Sequence, residues 1–115
     1  MFLILLFLFR IDLYLHQKSF MEVIWTEKAE KTYTKNYEYL VENWSLAIAE
    51  KFDEEVLKTI DIISKNPHLG RYNRDFDFSS ILVVKQITLF YTVVDGKVFL
   101  LLFHDNRQKQ VKDLF

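Results

Sequence analysis

Asp95-Gly96 stands between two apolar runs, Thr88 to Val94 and Val98 to Phe103, and it restricts the fold more than any other feature of this chain. An Asp-Gly pair tolerates the left-handed backbone that a two-residue hairpin turn demands, so the flanking runs are committed to antiparallel pairing. The second run leads directly into His104-Asp105-Asn106-Arg107. An imidazole and a guanidinium three residues apart at a strand end bring a potential acid/base and an anion binder to one rim of a sheet.

Upstream of the hairpin the pattern changes period. Glu22-Val23-Ile24-Trp25 reads as a strand, and Thr26 caps a helix whose first turn holds Glu27 and Glu30, the charge that a helix N-terminus favours. Ala29, Tyr33, Tyr37, Leu40, Val41 and Trp44 then recur at helical spacing. Ser45 starts a second helix striped by Ile48, Phe52, Val56, Leu57, Ile60 and Ile63, and Asn66-Pro67 stops it, because proline disfavours helical geometry in the residue before it. The short turn between the helices makes them an antiparallel hairpin. Residues 67–79 read as a loop, followed by strands around Ile81–Val84, Thr88–Val94 and Val98–Phe103.

The order is β-α-α-β-β-β, an α+β fold with the helical hairpin packed on one face of a small antiparallel sheet, to which the first strand is added. The other face is left free to bind. With 115 residues, half of them hydrophobic and 17% aromatic, the chain has enough apolar surface for one ordered domain and not for two.

Residues 21–115 form that domain, and residues 1–20 precede it as an apolar extension. Met1 to Phe9 is unbroken hydrocarbon stopped by Arg10 and Asp12, too short to span a membrane and without the basic start of a secretory signal. Three readings stay open for it: a start codon placed too early, so that Met21 begins the protein; an interfacial or membrane anchor in residues 1–15; or an extra strand or helix on the domain.

The absence of cysteine excludes disulfides and thiolate chemistry and is compatible with a reducing cytoplasm. His16, His68 and His104 are too scattered for a zinc site, so no metal or other cofactor is expected. The net charge of −1 conceals an asymmetry. Residues 21–63 carry five Lys against ten acidic residues, whereas residues 64–115 carry eight Lys and Arg against five Asp. That is either an ordinary pair of solvated faces or a basic surface turned toward phosphate or an acidic partner.

Each candidate residue has a bland reading beside the sharp one. Arg107 either clamps an anion or pairs with Asp105 or Asp113. His104 either exchanges protons or hydrogen-bonds locally. Arg71 and Arg74, in the loop after the second helix, and Lys85, between two strands, are candidate binders, while loop-pinning is the plainer role for Arg71. Tyr91 lies within an apolar strand and reads as core with its hydroxyl at the edge. Asp53, Glu54 and Glu55 are consecutive on a helix and cannot all face one substrate.

Four segments in order over residues 21–109 carry a resemblance: Val23-Ile24-Trp25-Thr26-Glu27-Lys28-Ala29, Asn66-Pro67-His68-Leu69-Gly70-Arg71, Leu89-Phe90-Tyr91-Thr92-Val93 and His104-Asp105-Asn106-Arg107. The chain resembles toxins of the RelE/ParE superfamily of bacterial type II toxin–antitoxin systems. The resemblance implies a small cytoplasmic toxin that inhibits growth and is neutralised by a cognate antitoxin.

RelE-like members cleave mRNA on the ribosome, with basic residues stabilising the transition state, and ParE-like members poison DNA gyrase. Arg107 matches the family's C-terminal arginine, Tyr91 its strand tyrosine and His104 the histidine of ParE-like members. The nuclease's strand arginine falls at Thr88, and its C-terminal tyrosine falls near Asp113. The match therefore implies a ParE-like toxin acting by binding, with an mRNA endoribonuclease or a decayed toxin acting only as a binding protein as the alternatives.

Overall fold

Thr26 is the corner on which the N-terminal half turns. In the computed structural model, which describes residues 21–107, β1 (Val23–Trp25) ends there and α1 (Glu27–Asn43) begins. Its hydroxyl accepts from the Ala29 N–H at 3.1 Å and donates to the Leu100 carbonyl at 2.7 Å, so one side chain caps the helix and ties it to the sheet. Ser45 caps α2 (Leu46–Lys65) in the same way, accepting from Ile48 N. The helix stops just before Asn66-Pro67, and a single 3₁₀ turn follows over Pro67–Leu69. The expectations for the apolar segment 1–20 and for Asp113 lie outside the described residues.

Four strands complete the sheet: β2 (Arg71–Asn73), β3 (Phe78–Val84), β4 (Ile87–Val94) and β5 (Lys97–Asp105). Their spatial order is β1-β5-β4-β3-β2. The β4–β5 turn is Asp95-Gly96, both residues at positive φ, as the dipeptide requires.

The α+β class and the helical hairpin over one sheet face are as expected, with two refinements. The sheet is mixed, because β1 runs parallel to β5 while every other pair is antiparallel. A tight turn forces its two strands antiparallel, but β1 reaches β5 through most of the chain, and nothing local sets its direction. The loop expected at 67–79 also contains β2, whose sequence Arg-Tyr-Asn has no apolar alternation and whose pairing comes entirely from β3.

The main core lies between the helices and the sheet, where Ala29, Tyr33, Phe52, Val56 and Ile60 meet Leu89, Tyr91, Val98, Leu100 and Phe103. Tyr33 stacks on Phe52 and meets Phe103 edge-on. Tyr33 also donates from its hydroxyl to Asp53 at 2.9 Å, which separates Asp53 from its neighbours: Glu54 is exposed, and Glu55 pairs with Lys51 and Lys58. Phe78, Phe90 and Leu102 form a second cluster on the opposite face of the sheet.

A bulge in β5 decides which side chain faces which way. Tyr91 stands opposite Leu100 and Phe90 opposite Leu102, so Leu101 is the extra residue. Val98 and Leu100 face the helices before it and Phe103 does so after it. His104 therefore goes with Leu102 to the other face.

Candidate functional site

The residues of the C-terminal motif are engaged within the fold. His104 is only 5% exposed, stands opposite Thr88 on β4 and lies near the Phe90 ring. It borders a cleft of about 530 Å³ between α1 and the edge of β5, where Lys31, Lys35 and Tyr39 form part of the opposite wall. Arg107 does not itself line that cleft but is held by two residues that do, Asp105 and Tyr39. Its Nε and Nη2 donate to the two carboxylate oxygens of Asp105 at 3.0 and 2.8 Å, its backbone N–H adds a third bond at 2.9 Å, and its guanidinium lies 5.8 Å from the centre of the Tyr39 ring. Hydrogen bonding from Arg107 holds the Asp105 carboxyl below its ordinary value against the opposing effect of burial, and the same pairing raises Arg107.

Arg71 and Arg74 lie on the free face of the sheet instead. Both are exposed, and with Ser80, Thr88, Phe90 and Asn106 they line a shallow groove of about 490 Å³. Thr88, where the nuclease pattern has arginine, spends its hydroxyl on Asn106 Oδ1 at 2.9 Å. Lys85 is exposed in the turn between β3 and β4.

Tyr91 is fully buried, and its hydroxyl acts structurally, donating to the Pro67 carbonyl at 2.7 Å and accepting from Gly70 N at 3.0 Å. Burial raises its pKa. The loop is thus pinned from the core by Tyr91, whereas Arg71 makes no side-chain hydrogen bond or ion pair among the described residues.

Where β1 ends, the edge of β5 is closed by α1. Thr32 Oγ1 accepts from the Phe103 N–H at 2.9 Å and Asn36 Nδ2 donates to the Phe103 carbonyl at 3.1 Å, so two helical side chains replace a missing strand. Threonine and asparagine four residues apart on a polar helix face are the only trace of this arrangement in the sequence, and without the fold they read as ordinary solvent-facing residues.

The sequence profile described as ParE toxin of type II toxin-antitoxin system, parDE, matches residues 23–109. This chain belongs to the ParE toxin family. The match spans every strand and both helices, so the toxin and its need for an antitoxin come with membership in a type II system. A solved structure of the chromosomal ParDE TA system from P. aeruginosa is similar over 76% of this chain and 98% of that one, with 13% identity and a TM-score of 0.64. The YoeB dimer from Staphylococcus aureus is similar over 73% of this chain and 94% of its own, with 16% identity and a TM-score of 0.51. At such identities the likeness shows the fold alone. Among curated proteins, none is close enough in sequence to count as a relative. No helix among the described residues is long and apolar enough to cross a membrane.

Proposed function

We propose that this ParE-family toxin arrests growth in the cytoplasm by binding DNA gyrase, without chemistry of its own, until a cognate antitoxin occupies it. The observation that carries this reading is that both candidate groups are already engaged: the imidazole is buried beside Phe90, and the guanidinium is paired with Asp105. Strand cleavage at a phosphate needs a proton acceptor, a donor and charge stabilisation around one reacting group. Thr88 in place of a strand arginine supports the same conclusion.

A second reading, mRNA cleavage on the ribosome, draws support from one feature. The groove with Arg71 and Arg74 presents on the free face of the sheet two guanidiniums that are unpaired among the described residues, and such a face suits a phosphate backbone.

Inducing the full chain without antitoxin, while following labelled thymidine and amino-acid incorporation over the first minutes, separates the two. Gyrase binding predicts that DNA synthesis falls first and that purified gyrase is inhibited by both the parent chain and His104→Ala. Protein synthesis failing first, with mRNA cut in a manner abolished by Arg71→Ala with Arg74→Ala, overturns it in favour of the nuclease.

A further inference from the structure

The sheet face turned away from the helices carries a buried apolar cluster. Phe78, Phe90 and Leu102 are only 4%, 4% and 2% exposed there, although among the described residues both helices pack on the opposite face. Phe76 stacks on Phe78 and His104 lies beside Phe90. Flanking rings of this kind shield the edges of a cluster more than its outward surface, so the face is built to be covered.

The apolar surface continues to the edge strand β1. Val23 and Trp25 pack on the main core, so alternation sends Ile24 to the other face, and Phe99, between the core residues Val98 and Leu100, goes the same way. Ile24 and Phe99 are register partners. With Leu102, Phe90 and Phe78 they form a band running from β1 across β5 and β4 to β3.

This band begins where residues 1–20 join the domain. The Glu22 carbonyl accepts from Val98 N–H at 2.9 Å, and the Met21 N–H donates to the Ser64 carbonyl at 3.3 Å, which fixes the point of entry at the β1 edge. From β1 to β3 is three strand spacings, about 15 Å. Twenty residues cover about 30 Å even when fully helical. Residues 2–9, Phe-Leu-Ile-Leu-Leu-Phe-Leu-Phe, offer only hydrocarbon and are too few to span a membrane. The eight residues after Arg107 fit less well, because they include Lys109, Lys112 and Asp113 and leave from the other end of β5.

We propose that the apolar segment 1–9 folds back onto this band in the same molecule, seating its Phe and Leu side chains on Ile24, Phe99, Phe90 and Phe78. Phe78 and Phe90 also line the groove of Arg71 and Arg74, so the seated segment closes that groove to a phosphate backbone. The inference stands on the sheet face and does not depend on which target the toxin has.

The chain has no cysteine, so a single introduced thiol reports on the face. Ser80 stands opposite Phe90 and lines the same groove. In the full chain, Ser80→Cys is expected to react with a maleimide about tenfold faster or more once Leu5→Asp and Phe7→Asp are added. Leu46→Cys, at an exposed leucine on the helical hairpin, is expected to react alike in both backgrounds. Equal rates at Ser80→Cys overturn the proposal.

Hydrogen exchange on the parent chain needs no substitution. A segment buried against the sheet must satisfy its own backbone groups, so the amides of residues 2–9 are expected to exchange slowly, and exchange at the rate of an unstructured chain overturns the proposal. Three further outcomes also overturn it. Labelling accelerated by Leu114→Asp with Phe115→Asp instead assigns the face to the C-terminal tail. Slow labelling lost when a sedimenting dimer is diluted assigns it to a second copy. Flotation of the parent with phosphatidylcholine vesicles assigns the segment to a lipid surface.

Discussion

The Tyr91 hydroxyl and the Gly70 backbone occupy the same space that any larger residue at 70 would need: a Cβ there would lie 2.9 Å from the Tyr91 ring and closer still to its oxygen. Gly70 is required for close approach rather than for its backbone angles, since its φ is −69°. The expected outcome for Gly70→Ala is a loss of about 1–3 kcal/mol from forced displacement in a packed site. Tyr91→Phe is expected to cost a similar ~1–3 kcal/mol, by stripping a donor from Pro67 O and an acceptor from Gly70 N. Urea unfolding of both single variants and the double variant checks this, and because the two share one contact their effects should fall well short of additive.

Thr32→Val keeps the shape of the side chain and removes the oxygen that accepts from Phe103 N. A buried edge N–H left without a partner costs about 1–3 kcal/mol. For a domain of this size that corresponds to a fall in melting temperature of roughly 4–8 °C per kcal/mol. A thermal melt showing no change would mean that water or a shifted Asn36 replaces the bond.

Asp105 sets an acid limit. Its folded carboxyl is held below the unfolded value by Arg107, so its contribution to stability is fully present above about pH 4. That contribution is lost as pH falls through the lowered folded value. Asp105→Asn should therefore be less stable than the parent at pH 7, with the difference shrinking toward pH 2. Denaturant midpoints measured from pH 7 down to pH 2 give the comparison, and a difference that stays constant with pH would show that the Arg107 pairing contributes nothing through its charge.

His104→Ala should not abolish growth arrest, because the imidazole is buried between Phe90 and the α1 cleft and the Arg107 guanidinium is already paired with Asp105. Its cost should appear in stability, through the cavity it leaves on the free sheet face. Arrest lost in a variant that melts like the parent would make His104 a catalytic candidate again.

Much of this architecture can be read along the chain. Thr26 and Ser45 are legible as caps because a hydroxyl before an apolar period has one common use, and Asn66-Pro67 and Asp95-Gly96 are legible because proline and glycine restrict backbone geometry whatever surrounds them. The candidate site is less legible. Arg71, Arg74, Lys85, His104 and Arg107 are visible as residue types, but not that Arg71 and Arg74 share a groove on the sheet while His104 is buried and Arg107 is paired with Asp105.

Sequence alone determined what depends on neighbours within a few residues: where helices start and stop, where the β4–β5 hairpin turns, and most of the stripes by which α1 and α2 meet the core, although Val41, Trp44 and Ile48 on those stripes lie exposed. Tertiary structure decided what depends on partners far along the chain. The extra residue Leu101 inverts the alternation of β5, so that Phe103 enters the core and His104 leaves it, whereas strict alternation from Leu100 would place them the other way round. The physical reason is that a bulge exists only relative to a paired strand, just as the parallel sense of β1 exists only relative to β5. Neither is a property of the residues that carry it, and the bulge decides which face His104 takes.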